Sequence, residues 1–177
     1  MTPTTETGAA TSKTPENQPQ TQKISTFLWF DGNAEEAASF YTSVFKNSRI
    51  RNIVRYGESG PGPKDSVMIV DFELDGEQFT ALNGGPQFKF NEAISLVVHC
   101  QTQDEVDYFW EKLSEGGEEV ECGWLKDKFG VAWQIVPDIF LELLRTSDEK
   151  KKDRVMRSMM TMKKLDIKQI QEAAAQE

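Results

Sequence analysis

The sequence predicts an α+β fold in which two copies of a β-α-β-β-β module are followed by a helical extension. Three observations predict it. One strand, one helix with an apolar stripe and three further strands are legible between residues 23 and 91, and the same order begins again at residue 92. The two helices correspond closely, AASFYTSVF in the first module and VDYFWEKL in the second. Beyond Pro137 the two-residue period of strands gives way to helical spacing. The modules, about 23–91 and 92–137, read as an internal repeat within one unit that runs with a short following helix to 145, and the extension occupies 146–177. With 177 residues, 38% of them hydrophobic, the chain suffices for one well-buried domain or two small fused modules.

Taken in order, residues 1–22 are Thr, Pro, Gln, Glu and Ala with almost nothing to bury, and are expected to form a disordered tail. That tail has no Arg and carries Glu6 and Glu16, unlike a mitochondrial presequence. Order is expected from Ile24, where ISTFLWF forms a strand closed by Asp31-Gly32. Asn33 stands as N-cap with Glu36 in the capping-box position, ahead of a stripe of Ala37, Tyr41, Val44 and Phe45. Residues 49–56 form a second strand and 57–65 a loop; 67–74 and 77–82 make a hairpin around Asp75-Gly76.

The second module opens with a strand at 93–100. Its helix is capped by Thr102 with Glu105 three residues on, carries Val106, Phe109, Trp110 and Leu113, and ends at Gly116-Gly117. A strand at 118–126 leads into the hairpin CGWLKDKFGVAWQIVP at 122–137, where Asp127, Lys128, Phe129 and Gly130 read as a charged turn. In its last strand Val131, Trp133 and Ile135 share one face, while Ala132, Gln134 and Val136 share the other. A lone Gln among apolar neighbours needs partners: a neighbouring backbone, or a polar cavity, ligand or metal. In the extension Asp138 caps a short helix with Phe140, Leu141 and Leu144. Val155, Met156, Met159, Met160 and Met162 then form a stripe that packs on the repeat or a partner subunit, or offers an adaptable binding surface. Asp166 caps a last helix containing Ile167 and Ile170.

Charge and cysteine usage exclude several classes. A net charge of -9 argues against nucleic acid or an anionic membrane as the main partner. No apolar run approaches the roughly 18 residues of a membrane span. Cys100 and Cys122 supply neither a disulfide framework nor zinc-ligand spacing, which points to a reducing, cytoplasmic setting.

Three stretches, FLWFDGNAEEAASFY, CGWLKDKFGVAWQIVP and DRVMRSMMTMKKLDI, together resemble the PhnB-like branch of the vicinal oxygen chelate superfamily, which includes glyoxalases, extradiol dioxygenases and antibiotic-resistance proteins. The resemblance covers about residues 23–175. It implies paired βαβββ modules whose eight strands form a curved sheet around a shared cavity, usually in a homodimer. This branch often carries a demethylubiquinone methyltransferase label, yet the sequence has no glycine-rich strand-to-helix turn of the kind a nucleotide-type methyl donor needs.

The resemblance also implies where to look for a site. In metal-dependent members, the first and last strand of each module supply the ligands, mostly His, Glu or Gln. The matching positions are Ser25, Ala81, Ser95 and Gln134, of which only Gln134 suits a divalent cation, so no cofactor is expected unless a divalent metal sits at a displaced site. Phe27 and Trp29, then Phe79, Ala81 and Asn83, then Ser95, Val97 and His99, and finally Gln134 are expected to line the cavity. His99, the single histidine, is the candidate general base, with a partly buried structural role as the alternative. Cys100, on the opposite face, reads as core. Two functions stay open: a metal-free small-molecule binding protein like the resistance proteins, or a lyase, isomerase or dioxygenase of glyoxalase type.

Overall fold

The computed structural model describes residues 22–176, so all but the last residue of the expected tail lies outside the described residues. The first module runs β1 (Thr26–Phe30), α1 (Ala34–Val44), β2 (Arg49–Arg55), β3 (Val67–Leu74) and β4 (Glu77–Asn83). The second runs β5 (Leu96–Cys100), α2 (Gln103–Ser114), β6 (Glu118–Glu119), β7 (Trp124–Lys126) and β8 (Ala132–Pro137). In each, the first strand lies parallel to the last and the other pairs are antiparallel, giving the orders β1-β4-β3-β2 and β5-β8-β7-β6. The helix follows the first strand and carries the chain across, as a parallel pair requires. Within one chain, therefore, the eight strands are divided between two four-stranded sheets of the same topology.

One stretch departs from the expected strand pattern. The strand read at 118–126 is interrupted because Cys122 (φ 63°) and Gly123 (φ 82°) are both left-handed, a conformation no strand accommodates, so it becomes the separate strands β6 and β7.

Both modules pack their helices into a single core. Ala34, Ala37, Ala38, Tyr41 and Val44 of α1 and Val106, Trp110 and Leu113 of α2 are buried together with Leu28, Phe30, Phe72 and Ala81 of the first sheet and Val98, Leu125, Trp133 and Ile135 of the second. The alanines let α1 lie close to its sheet, and Phe45 stacks on Trp133 across the modules with ring centroids 5.5 Å apart. Because each sheet gives its helix-facing side to this shared core, its other side turns away; on the second sheet the extension buries Val136 on that side, while Val97, His99 and Gln134 keep part of their surface exposed.

The hairpin turn corrects the sequence reading in one respect. Asp127, read as part of a charged turn, is 3% exposed. Its Oδ1 accepts the backbone N–H groups of Phe129 (2.9 Å) and Val131 (3.0 Å), and its Oδ2 accepts the Tyr41 hydroxyl (2.7 Å) and the Trp133 indole N–H (2.8 Å). Tyr41 belongs to the first module, so this carboxylate ties the two together. Capping of α1 differs as well. Asn33 makes no side-chain cap bond, and Asn83 from the end of β4 accepts the Ala34 N–H at 2.9 Å instead. Thr102 and Asp166 do cap α2 and the last helix, accepting from Glu105 N and Gln169 N.

The extension comprises α3 (Asp138–Thr146), α4 (Glu149–Met159) and α5 (Ile167–Ala175) around a second, smaller core of Val136, Phe140, Val155, Met162, Leu165 and Ile170. Val155 and Met162 are buried in it and Met156 and Met159 pack against it, so most of the methionine stripe closes the extension itself, while Met160 is exposed. The loop before α5 clamps onto the second module: the N–H groups of Cys122 and Gly123 donate to the carbonyls of Met162 and Lys163, each at 2.7 Å. Gly123 is required there, since an added Cβ would stand 3.0 Å from the Ile135 carbonyl and 3.1 Å from Leu165. Among the described residues no helix is long and apolar enough to cross a membrane.

Candidate functional site

Strand register arranges the open face of the first sheet in rows. Phe27, Thr80, Asp71 and Asn52 run side by side across β1, β4, β3 and β2. The Thr80 hydroxyl donates to Asp71 at 2.9 Å. Beside this mixed row lies an apolar one of Trp29, Leu82, Ile69 and Val54. On the other flank Gln78 neighbours Glu73, which pairs with Arg51 at 2.6 Å. A depression of about 440 Å³ is lined by Ser25, Arg51, Asn52, Asp71, Gln78 and Thr80, among others. Trp29 is fixed by the segment joining the modules. Its indole donates to the Gly85 carbonyl at 2.8 Å and meets the Phe88 ring edge-on at 4.9 Å, and Gly84 lies so flat on the ring that a Cβ there would stand 2.2 Å away.

The open face of the second sheet carries Val97 and His99 on β5, Gln134 opposite Val97 on β8, and Trp124 opposite Gln134 on β7. The Gln134 amide donates to the Ser95 hydroxyl at 2.8 Å, which leaves its carbonyl oxygen as a further acceptor. His99 places Nδ1 3.3 Å from Oδ1 of Asp138, the first residue of α3. Exposed apolar side chains sit on both faces, Phe27 at 57% and Val97 at 45% exposure. On the helix side, burial and then the carboxylates of Glu105 and Asp138 push the Cys100 thiol up to about 12, which makes it a poor nucleophile and fits the core role read from the sequence.

Among the residues expected to share one cavity, Ser95, Val97, His99 and Gln134 do come together, and so do Phe27 and Trp29, but on different sheets. The expected facing of β4 is corrected. Thr80 and Leu82 lie opposite Phe27 and Trp29 and look outward, whereas Phe79, Ala81 and Asn83 look toward the helix. Phe79 stacks on Phe72 at 5.3 Å, Ala81 is fully buried, and Asn83 caps α1 and donates to the Val67 carbonyl at 3.0 Å. A one-residue slip inverts every side chain of a strand. The signal for the correct facing lay in β3, where Val70, Phe72 and Leu74 alternate with Asp71 and Glu73; Asp71 and Thr80, missed from sequence, follow from it.

With that register Thr80 replaces Ala81 as the counterpart of Gln134, each being opposite the equivalent residue of the first strand. The four positions then carry three hydroxyls and one amide, with no carboxylate or imidazole, and Gln134 is already bonded to Ser95. These residues do not fit a divalent cation held in the glyoxalase manner. Among the described residues no group of three or more His, Cys, Asp or Glu side chains is gathered closely enough to hold a metal.

Comparison with known proteins accords with this architecture. A family profile described as 3-demethylubiquinone-9 3-methyltransferase matches residues 22–136, nearly the whole of both modules and none of α3, α4 or α5. The solved PhnB protein from Bacillus cereus is 41% identical, over 66% of this chain and 99% of that one, with a TM-score of 0.61. A protein from Pseudomonas aeruginosa, 22% identical over 66% of this chain and 98% of its own, has a TM-score of 0.56 and shares the fold. No curated protein matches this chain. The paired βαβββ topology and the match across both modules establish that the chain belongs to the 3-demethylubiquinone-9 3-methyltransferase family, the PhnB-like branch of the vicinal oxygen chelate superfamily.

Proposed function

We propose that this protein binds a small molecule without a metal, in a homodimer where the first open face of one copy meets the second open face of its partner. The observation that carries this reading is the division of the site: Phe27, Thr80 and Asp71 lie on one open face and Ser95, His99 and Gln134 on another, both turned away from one shared core. A single chain leaves each half uncovered, with apolar Phe27 and Val97 in water. A second copy covers them and closes a pocket whose walls are aromatic and aliphatic, with a few convergent polar groups. Gln134, Ser95 and Thr80 suit the hydroxyls and carbonyls of a neutral or weakly polar ligand.

The methyltransferase description attached to the family is not part of this reading. The turn from β1 to α1 is Asp31-Gly32-Asn33, without the glycine-rich loop that brings backbone against a nucleotide-type donor. One observation favours a second reading, an enzyme of lyase, isomerase or dioxygenase type: His99, a residue with acid–base capacity, stands on the same face as Gln134.

Two variants test the first reading. Phe27→Asp places a charge at the proposed interface and is expected to give a monomeric mass by light scattering with a nearly unchanged melt; a variant that remains dimeric removes the shared site. Gln134→Leu is nearly volume-conserving and is expected to keep the fold while weakening any compound found by thermal-shift screening by on the order of 1 to 3 kcal/mol, through a ligand group left unpaired. Stoichiometric, tightly bound divalent metal in purified protein overturns the metal-free assignment and favours the enzyme.

A further inference from the structure

We propose that Asp71 is a specificity-determining residue of the first open face: it takes a protonated amine carried on an apolar body and turns away carboxylates and phosphates. The role rests on the reading of this face as ligand-binding and deepens it, adding one ammonium group to a ligand whose remaining polar groups are neutral.

Asp71 lies in the middle of β3, a strand paired on both sides, with β2 and with β4. Aspartate is depleted at such positions, so strand formation does not account for it. Alternation decides where it points. Val70 and Phe72 are buried on the helix side, which leaves Asp71 on the open face, in the wall of the depression of about 440 Å³. The Thr80 hydroxyl donates to Oδ1 at 2.9 Å, while the Asn52 amide stands 3.5 Å from Oδ2. A carboxylate has roughly four lone-pair sites, so acceptor capacity is left over, and the Thr80 bond fixes the direction in which it is offered.

The charge has no countercharge of its own. Among the described residues no Lys, Arg or His side chain pairs with Asp71. Arg51, which lines the same depression, is held by Glu73 at 2.6 Å, and Arg49 stands 3.4 Å from that same Glu73 oxygen. A ligand ammonium supplies the missing charge and donates to the carboxylate, whereas an anion meets like charge there. Covering the face strengthens the preference, because taking water from an unpaired carboxylate is costly and a bound cation offsets that cost. The ligand's body has a place as well. Ile69 shares the face two residues before Asp71, about 7 Å along the strand, and belongs to the apolar row of Trp29 and Leu82. A ring joined to the amine by two carbons spans that distance.

Three probes of similar shape test the assignment: phenethylamine, phenethyl alcohol and hydrocinnamate, titrated at neutral pH into the full-length protein and followed through the backbone amide NMR signals of Ile69, Asp71 and Thr80. The amine is expected to shift them saturably and to bind about tenfold more tightly than the alcohol, with no binding of the carboxylate. Asp71→Asn keeps an oxygen for the Thr80 hydroxyl and is expected to bring the amine down to the level of the alcohol while leaving the alcohol unchanged. Asp75→Asn, in the exposed turn between β3 and β4, changes the net charge equally and is expected to leave the preference intact. A preference that falls equally in both variants reflects the general attraction of cations to an acidic protein and overturns the proposal. Equal binding of the three probes, or no saturable shift from any of them, overturns it too, as does an Asp71→Asn protein that loses the wild-type mass in light scattering, since the carboxylate then serves an interface. The titration reads a face present in the single chain, so its failure is distinct from a failure of Phe27→Asp to give a monomer.

Discussion

Replacing Asp127 by Asn is a nearly isosteric change that the hydrogen-bond geometry makes costly. Four donors converge on the carboxylate, two backbone N–H groups on Oδ1 and the Tyr41 hydroxyl and Trp133 indole on Oδ2. An amide has one oxygen. If that oxygen keeps the backbone pair, the new NH₂ faces Tyr41, which can turn its hydroxyl and accept, and the Trp133 N–H, which can only donate. One buried donor is left orphaned, at about 1 to 3 kcal/mol, and charge-assisted bonds are exchanged for neutral ones. Against this, Asn relieves the cost of holding a charge in the core, so the net expectation is a loss of about 2 kcal/mol. Urea unfolding is expected to show a lower midpoint with an unchanged slope.

The pH dependence sharpens the test. Burial pushes the Asp127 carboxyl above the ordinary carboxylate range, with the four donors pulling it back. A group raised in the folded state holds its proton more tightly there, so its contribution to stability is full below the ordinary value and is lost as pH rises through the folded one. The margin of wild type over Asp127→Asn is therefore expected to be widest below the ordinary carboxylate value and to narrow as pH rises through the raised one. A variant within about 0.5 kcal/mol of wild type at every pH would refute the view that this carboxylate ties the modules together.

Other expectations follow from packing. Trp133→Ala should cost roughly 3 to 5 kcal/mol in denaturant melts, because the indole fills the core between Phe45 and Tyr41; a stable Trp133 variant beside an unfolded Gln134→Leu protein would mean that the facing of β8 is inverted. Leu165→Ala removes a side chain only 1% exposed from the extension's core and should loosen the clamp on the second module, read as faster hydrogen exchange at the Cys122 and Gly123 amides. Unchanged exchange there would show that the backbone bonds hold without that core.

Strand and helix order was legible because it is written in local periodicity. TFLWF and AWQIVP are short apolar, β-branched and aromatic runs, the helix stripes recur at helical spacing, and Trp133 and Ile135 were correctly assigned to the helix side because strand geometry puts them opposite the polar Gln134. The facing of β4 was partly legible, through the clean alternation of its hairpin partner β3. The resemblance placed Ser95 and Gln134 in the lining of one cavity, and the parallel pairing of β5 with β8, which the structure supplies, brings them into a direct hydrogen bond.

What the tertiary structure alone decided concerns partners distant in the chain. Asp127 looks like any turn aspartate in sequence, and only the packing of α1 over the hairpin, which brings up Tyr41 from 86 residues away, makes it a buried anchor. Asn83 caps a helix that begins 49 residues earlier, so no local motif announces it. Asp138 meets His99 because β5 and β8 end level with one another. The sequence by itself determined which residues of a strand share a face, since alternation is a property of neighbours along the chain, but on β4 not which of the two faces is open. Whether two such faces meet in one chain or look apart depends on which sides the modules bury against each other, a choice made by the fit of Phe45, Tyr41 and Trp133 in three dimensions.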